Sequence, residues 1–350
     1  MRCVQFFQCR IEYIYCWPLA MALAECLRCM YMPPLLLAVD RSQEFKLPWP
    51  TSNRPCAKCP CNVTDMPWAD VSDHACWMPH VWTDHAWRVQ FPNHHPIFDV
   101  PGVTVKMVMF DLLHVKHLGT DSYFFGSVLW LLCYELLPND PANNLQYVFD
   151  RCLDYWDRES VSNHYNHIKL SMLVKENDFP RLKGRGAEIK AMAHPLVEIW
   201  EMWMDDTVDE HAFVYEGLRM SARMENILSA NVRCSRLPPA AAHEFKECAF
   251  AFLAVQTAAA QIYNTRIPHP LFLFDVTIKS HCLAHVGLEC LFMNPRMGWN
   301  YTGEHYVSRM KVVASSCTKG NRPDQSQRKM IAKYRQGFHY SIVSDMWSHH

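Results

Sequence analysis

Val-Thr-Val-Lys-Met-Val-Met-Phe-Asp-Leu-Leu-His-Val-Lys-His-Leu-Gly, residues 103–119, is the stretch on which the reading of the fold turns. Pro101-Gly102 makes a turn ahead of it. Val103–Phe110 then alternates and fills with β-branched and apolar residues, which predicts a buried strand. The strand ends on Asp111, and His114 follows three residues later. A strand end is rigid and its exit is open, so an acid and a histidine there can reach one metal or one substrate. The pair also has a plainer reading, in which Asp111 caps the next helix and His114 is its hydrogen-bonded partner.

Working upstream, Met32–Asp40 is a short apolar run after a proline pair, the pattern of a central strand, and it too ends on an acid. If the two strands are neighbours, Asp40 and Asp111 converge. Hard carboxylate oxygens with open positions suit Mg²⁺ or Mn²⁺. Glu304, which opens a helix after a turn, is the candidate third acid; its alternative role is to complement that helix's dipole. Residues 46–100 change character, with recurrent prolines, four cysteines and five tryptophans. An unsupported loop of that length is improbable in a compact domain, so the insert should carry its own core or a metal. Cys56-Ala57-Lys58-Cys59-Pro60-Cys61 supplies a Cys-x-x-Cys turn suited to Zn²⁺. The second half of such a site is left open among His74, Cys76, His80 and His85.

Downstream the periodicity becomes helical. It predicts helices over Ser122–Leu137, Asn144–Asp157, Asp209–Leu228, Pro239–Tyr263, Val276–Phe292 and Gly303–Ser316. His281 and His285 share one helix face, where they flank a metal, bind phosphate or simply pack. No Glu follows His281, so the zinc-protease motif is absent. Charge is segregated. Residues 191–217 carry acids and no Lys or Arg, whereas Arg309, Lys311, Lys319, Arg322, Arg328, Lys329, Lys333 and Arg335 crowd residues 307–340 against Asp324 alone. A basic face of this kind can meet nucleic-acid phosphates, or be a solvated helix face.

Composition narrows the classes. With 350 residues, half of them hydrophobic, the chain has enough material for a sizeable core. A net charge of −1 excludes a protein that coats nucleic acid over its whole surface. Only 11 glycines, with neither a P-loop nor a dinucleotide fingerprint, exclude the Gly-rich phosphate cradles. Sixteen cysteines, many in apolar runs, fit reduced thiols in an intracellular compartment. No apolar run is long enough to span a bilayer, so no membrane partner is expected.

Several segments together resemble one family: Leu35–Asp40, Leu47-Pro48-Trp49, Pro55–Cys59, Pro67–Asp70, Phe98–Val103, Asp111–His114, His117–Asp121, Leu182-Lys183-Gly184, Ser221–Glu225, Lys279-Ser280-His281 and Asn294–Trp299. The set is similar to an uncharacterised, multiplied protein family of protist genomes, which in turn resembles the DDE transposases of the Plavaka and CMC kind. The resemblance implies an RNase H-like α/β sheet, interrupted by inserts and followed by helices. It implies DNA as partner, with Asp40, Asp111 and Glu304 as metal-ligating catalytic carboxylates, His114 beside them, and a nuclear location. Little chain precedes the insert, so Asp40 would stand for the second acid of a truncated copy. The rival expectation is a non-catalytic, zinc-stabilised helical scaffold. The expected organisation is residues 1–45 as the N-terminal part of the core, 46–100 as the Cys/Trp/Pro-rich insert, 101–320 as a strand plus helical region and 321–350 as a basic tail. The expected metal ligands are Cys56, Cys59, Cys61, Cys76, His281 and His285.

Overall fold

The computed structural model describes residues 55–318 and 322–348, except 93, 95, 100–103, 108, 174–178 and 267–270. Two compact units divide the chain: Tyr31–Trp299 forms one, and Asn300–Ser348 belongs to the other.

The larger unit is helical. After an irregular stretch come α1 (Asp84–Gln90), a π-helical segment (Leu113–Thr120), α2 (Asp121–Leu131) with a π turn at its end (Leu132–Leu136), and α3 (Pro141–Arg158). Then follow α4 (Gly186–Ala191), α5 (Ala193–Trp203), α6 (Asp209–Ala230), α7 (Pro239–Asn264) and α8 (Ile278–Glu289). The pair α6 and α7 forms the most extensive helix–helix contact. In the other unit, α9 (Tyr301–Thr318) packs on α10 (Pro323–Ser348).

Local chemistry explains these elements. Asp140 caps α3 by accepting from the amides of Ala142 and Asn143, and Pro141 supplies a pre-set first turn. Leu145, Val148, Phe149, Cys152 and Trp156 then fall on the face of α3 that is buried. Pro239 likewise opens α7, whose small alanines alternate with Phe245, Phe252 and Leu253 in the core. On α2, a Cβ at Gly126 would lie 2.7 Å from the Arg181 backbone, so glycine is what lets residues 180–182 cross that helix. The Leu182 amide donates to the Ser122 carbonyl there at 2.8 Å.

The RNase H-like sheet is not present among the described residues. Their one β-type pairing is an isolated bridge between Asn62 and Pro67. Of Val103–Phe110, expected as a strand, the described residues form a 3-10 turn over Val105–Met107 and no ladder. The physical reason is that a lone strand leaves its amides unpaired. Here Val105 donates its amide to the Asp84 carboxylate at 3.0 Å and packs with Trp87 and Phe98. Val105 thus packs in a small satellite core and Phe110 in the main core, with no sheet among the described residues. Met32–Asp40 lies outside the described residues. The α/β expectation is replaced by a mostly helical fold. Helices also form where none was expected, at Asp84–Gln90, Gly186–Ala191, Ala193–Trp203 and through the basic tail at Pro323–Ser348.

Candidate metal centre

Residues 55–82 follow an irregular path held by local bonds. Asn62 Oδ1 accepts from the amides of Thr64, Asp65 and Met66, and the Trp82 amide donates to the Lys58 carbonyl at 2.8 Å. This path lays the Cys-x-x-Cys turn against α8. The start of α8 is set by Thr277, whose hydroxyl accepts from the Lys279 amide at 3.2 Å. Four residues apart on that helix, His281 and His285 point the same way.

The two halves meet. Cys56 Sγ is 3.4 Å from His285 Nε2, Cys59 Sγ is 3.3 Å from His281 Nε2, and the two Nε2 atoms are 3.2 Å apart. All four ligand atoms lie within 4.8 Å of one another, and all four residues are buried. A tetrahedral zinc with ordinary bond lengths needs ligand–ligand edges of about 3.3–3.8 Å. The arrangement is thus close to the size of a filled S₂N₂ site.

The surroundings keep the site dry and aligned. Trp77, fully buried, lies against both imidazoles at ring-centroid distances of 4.3 and 4.7 Å, and its indole N–H donates to the Asp70 carbonyl at 2.7 Å. Lys58 reaches across to pair with Glu289 on α8 and sits over the Phe110 ring. Burial opposes ionisation of Cys56, but donation from the Cys59 and Cys61 thiols and the charge of His285 outweigh it and hold its thiol well below the usual range. That is the direction a metal ligand needs, since the thiolate is what binds. The Trp68 backbone acts on the His281 ring, whose Nδ1 has no ordinary hydrogen bond among the described residues.

The expected ligands thus separate. Cys56, Cys59, His281 and His285 come together. Cys61 is buried beside them as a thiol neighbour of Cys56 and Cys59. Cys76 is exposed and turned toward the Asp65 carbonyl, while His74, His80 and His85 are exposed. The missing half of the cysteine site was the histidine pair already noted on a distant helix.

Of the expected catalytic carboxylates, the described residues include the side chain of Asp111 alone. Asp111 is fully buried and takes the capping role: Oδ1 accepts from the Leu113 amide at 3.0 Å, and Oδ2 meets His114 Nδ1 at 2.5 Å. Asp40 lies outside the described residues, as does the side chain of Glu304 on α9. Of the basic set, Lys311, Arg322, Arg328, Lys329 and Lys333 are exposed, and Lys333 donates to Ser316 of α9. Lys319 and the side chain of Arg309 lie outside the described residues.

A second buried cluster was missed by sequence reasoning. Lys116 Nζ donates to Asp121 at 2.8 Å, to Glu225 at 2.7 Å and to the Ser221 hydroxyl at 3.0 Å. His117 Nε2 is 2.9 Å from Glu225, and Ser221 donates to Asp121 at 3.1 Å. His117, Asp121 and Glu225 meet the distance requirement for three metal ligands. The ammonium of Lys116, however, already stands between the two carboxylates. Burial disfavours that charge, yet Asp121 and Glu225 more than compensate and raise its pKa. The signal was present in the sequence: Lys116-His117-x-x-x-Asp121 places charges inside an apolar run, and Ser221-x-x-x-Glu225 puts polar groups on one buried helix face. A surface cleft of about 680 Å³, lined by Tyr155, His194, Arg219, Arg223 and Glu244 among others, contains none of the expected site residues.

No family model, no curated protein and no solved structure matches the chain. The transposase reading is therefore corrected on structural grounds. The described residues hold no sheet to carry its carboxylates, and Asp111 serves as a helix cap. The expectation of DNA strand cleavage on that fold goes with it. No helix among the described residues is long and apolar enough to cross a membrane.

Proposed function

We propose that this chain is a non-catalytic helical scaffold in which one structural zinc locks the Cys-rich segment around residues 55–82 onto α8. The observation that carries the reading is the convergence of Cys56, Cys59, His281 and His285 at tetrahedral spacing. Two thiolates and two imidazoles favour zinc over the hard cations, which prefer oxygen. Four protein ligands in a buried shell leave no open position for substrate or water, which is the mark of a structural rather than a catalytic site. The path of residues 55–82 has little regular secondary structure to hold it, so a metal would add a fastening to the packing of Val71, Ala75 and Trp77 in the core. The reading requires a compartment that keeps thiols reduced.

Metal analysis of the purified full chain tests it. One zinc per chain is expected, with cobalt substitution giving thiolate charge-transfer bands and tetrahedral ligand-field absorption. Cys56→Ser and His285→Ala should each lose stoichiometric metal, whereas Cys76→Ser should keep it. A wild-type chain that holds no zinc after preparation without chelators sinks the proposal.

A further inference from the structure

Two cations meet on one backbone oxygen near the junction of the π-helical segment and α2. Lys279 Nζ donates to the Leu118 carbonyl at 3.0 Å, and Arg181 Nη2 donates to the same oxygen at 3.1 Å. Their charged heads therefore lie within about 6 Å of each other, where like charges at a protein surface repel appreciably. Neither has a carboxylate partner among the described residues. Arg181 spends Nε on the Ser122 hydroxyl at 3.3 Å and lies over the Tyr123 ring, leaving Nη1 without a protein acceptor there.

Other features add positive potential at the same place. Lys279 stands in the first turn of α8, at the positive end of the helix dipole, and that turn carries no acid. Gly119 opens the room: a Cβ there would come within 2.9 Å of the Lys279 side chain and 2.7 Å of the His114 carbonyl. A single donor is enough for a backbone carbonyl. A second cation on the same neutral oxygen adds repulsion without cancelling charge. The contrast with Lys116, which has two carboxylates to itself, shows how this chain neutralises a buried ammonium when no ligand is required. Lys279 and Arg181 are both half-buried, so solvent reaches them.

We propose that Lys279 and Arg181 form a binding site for a phosphate group, Arg181 Nη1 donating to its oxygens on one side and the Lys279 ammonium on the other. A doubly charged oxyanion matches two cations, and guanidinium geometry suits phosphate oxygens. The proposal is independent of the zinc reading, since none of the four metal ligands takes part.

The test titrates the full chain as purified with inorganic phosphate and, separately, with glycerol phosphate, holding ionic strength constant with chloride. Thermal unfolding and ³¹P line width are the readouts. A saturable rise in Tm and saturable line broadening are expected, at least tenfold weaker in Arg181→Gln and Lys279→Gln and preserved in Lys279→Arg. Tighter binding of the ester would identify a phosphomonoester as the source, and equal binding the free ion. Absence of saturable broadening with the wild-type chain overturns the proposal, whether or not the variants fold. So does equal affinity in wild type, Lys279→Gln and Lys279→Arg.

Discussion

Two buried clusters in the larger unit each bring metal-binding side chains to within bonding distance of a single point, and they are built on opposite principles. Cys56, Cys59, His281 and His285 converge with soft donors and no lysine or arginine between them. His117, Asp121 and Glu225 converge with hard donors around an ammonium that is already there. Convergence of ligand atoms is therefore not enough to specify a metal. The charge balance of the enclosed volume decides: the first cluster is short of positive charge once its thiols ionise, and the second is not.

The largest test of that contrast is removal of metal. Structural zinc contributes of the order of 10 kcal/mol of binding free energy that is also folding free energy. Chelation should release residues 55–82 from α8, read as a large fall in Tm and new protease cleavage in that segment, with α3–α7 still protected from hydrogen exchange. Unchanged proteolysis after complete chelation would put the two clusters on the same footing.

Next comes Lys116→Met. It leaves Asp121 and Glu225 facing one another in a buried space, and removal of one partner from such a pair costs about 3–5 kcal/mol. Denaturant unfolding measures it. A second outcome would reverse the contrast: if the variant gains a tightly bound divalent ion at no loss of stability, the site was a metal site held closed by lysine.

The same cluster gives pH a sign. Lys116 has its pKa raised above the ordinary 10.5, because its two carboxylates outweigh burial. Its contribution is complete below 10.5 and is lost as pH climbs through the raised value. Glu225 goes the other way. Burial pushes it up, but Lys116, His117 and Lys190 hold it well below the ordinary 4.5, so its contribution is present above 4.5 and fades as pH falls through the lowered value. Asp121, whose burial outweighs its share of the ammonium, is raised. It offsets part of the Glu225 effect, since it favours the fold most below 3.8 and less as pH rises through its raised value. Stability measured between pH 9 and 12 should fall in wild type, and the alkaline fall should be weaker in Lys116→Met. Equal alkaline limbs would show that the ammonium is not the group that matters.

The smallest effect is at Asp111. As a helix cap it contributes roughly 0.5–2 kcal/mol, so Asp111→Ala should cost that much in unfolding free energy and leave zinc content unchanged. A loss of bound metal in this variant would tie Asp111 to the metal centre after all.

The helical half of the chain was legible because its signals are local. Pro141, Pro239 and the spacing of Leu145, Val148 and Cys152 place α3 and α7 within a few residues of where they lie. Val103–Phe110 misled because alternation reports burial on one side and says nothing about a partner strand. The metal centre was half legible. Cys-x-x-Cys and His-x-x-x-His were each visible, but their pairing depends on how α8 docks, and the nearby histidines at 74, 80 and 85 were competing partners in sequence alone. The Lys116 cluster was hidden for a related reason: a buried charge looks like a surface charge until its counter-ion, more than a hundred residues away, is placed beside it.

The two halves of the Cys/His cluster are separated by more than two hundred residues, with Cys56 and His285 at a distance of 229 along the chain. During synthesis the cysteine turn leaves the ribosome first and, at ordinary elongation rates, waits roughly ten to fifty seconds for its histidines. Through that interval Cys56, Cys59 and Cys61 are an open chelating tripod with no fold around them. If the cluster holds zinc, it cannot close until α8 has emerged, so supply of metal and protection from oxidation during that interval would bear on how many molecules close it correctly.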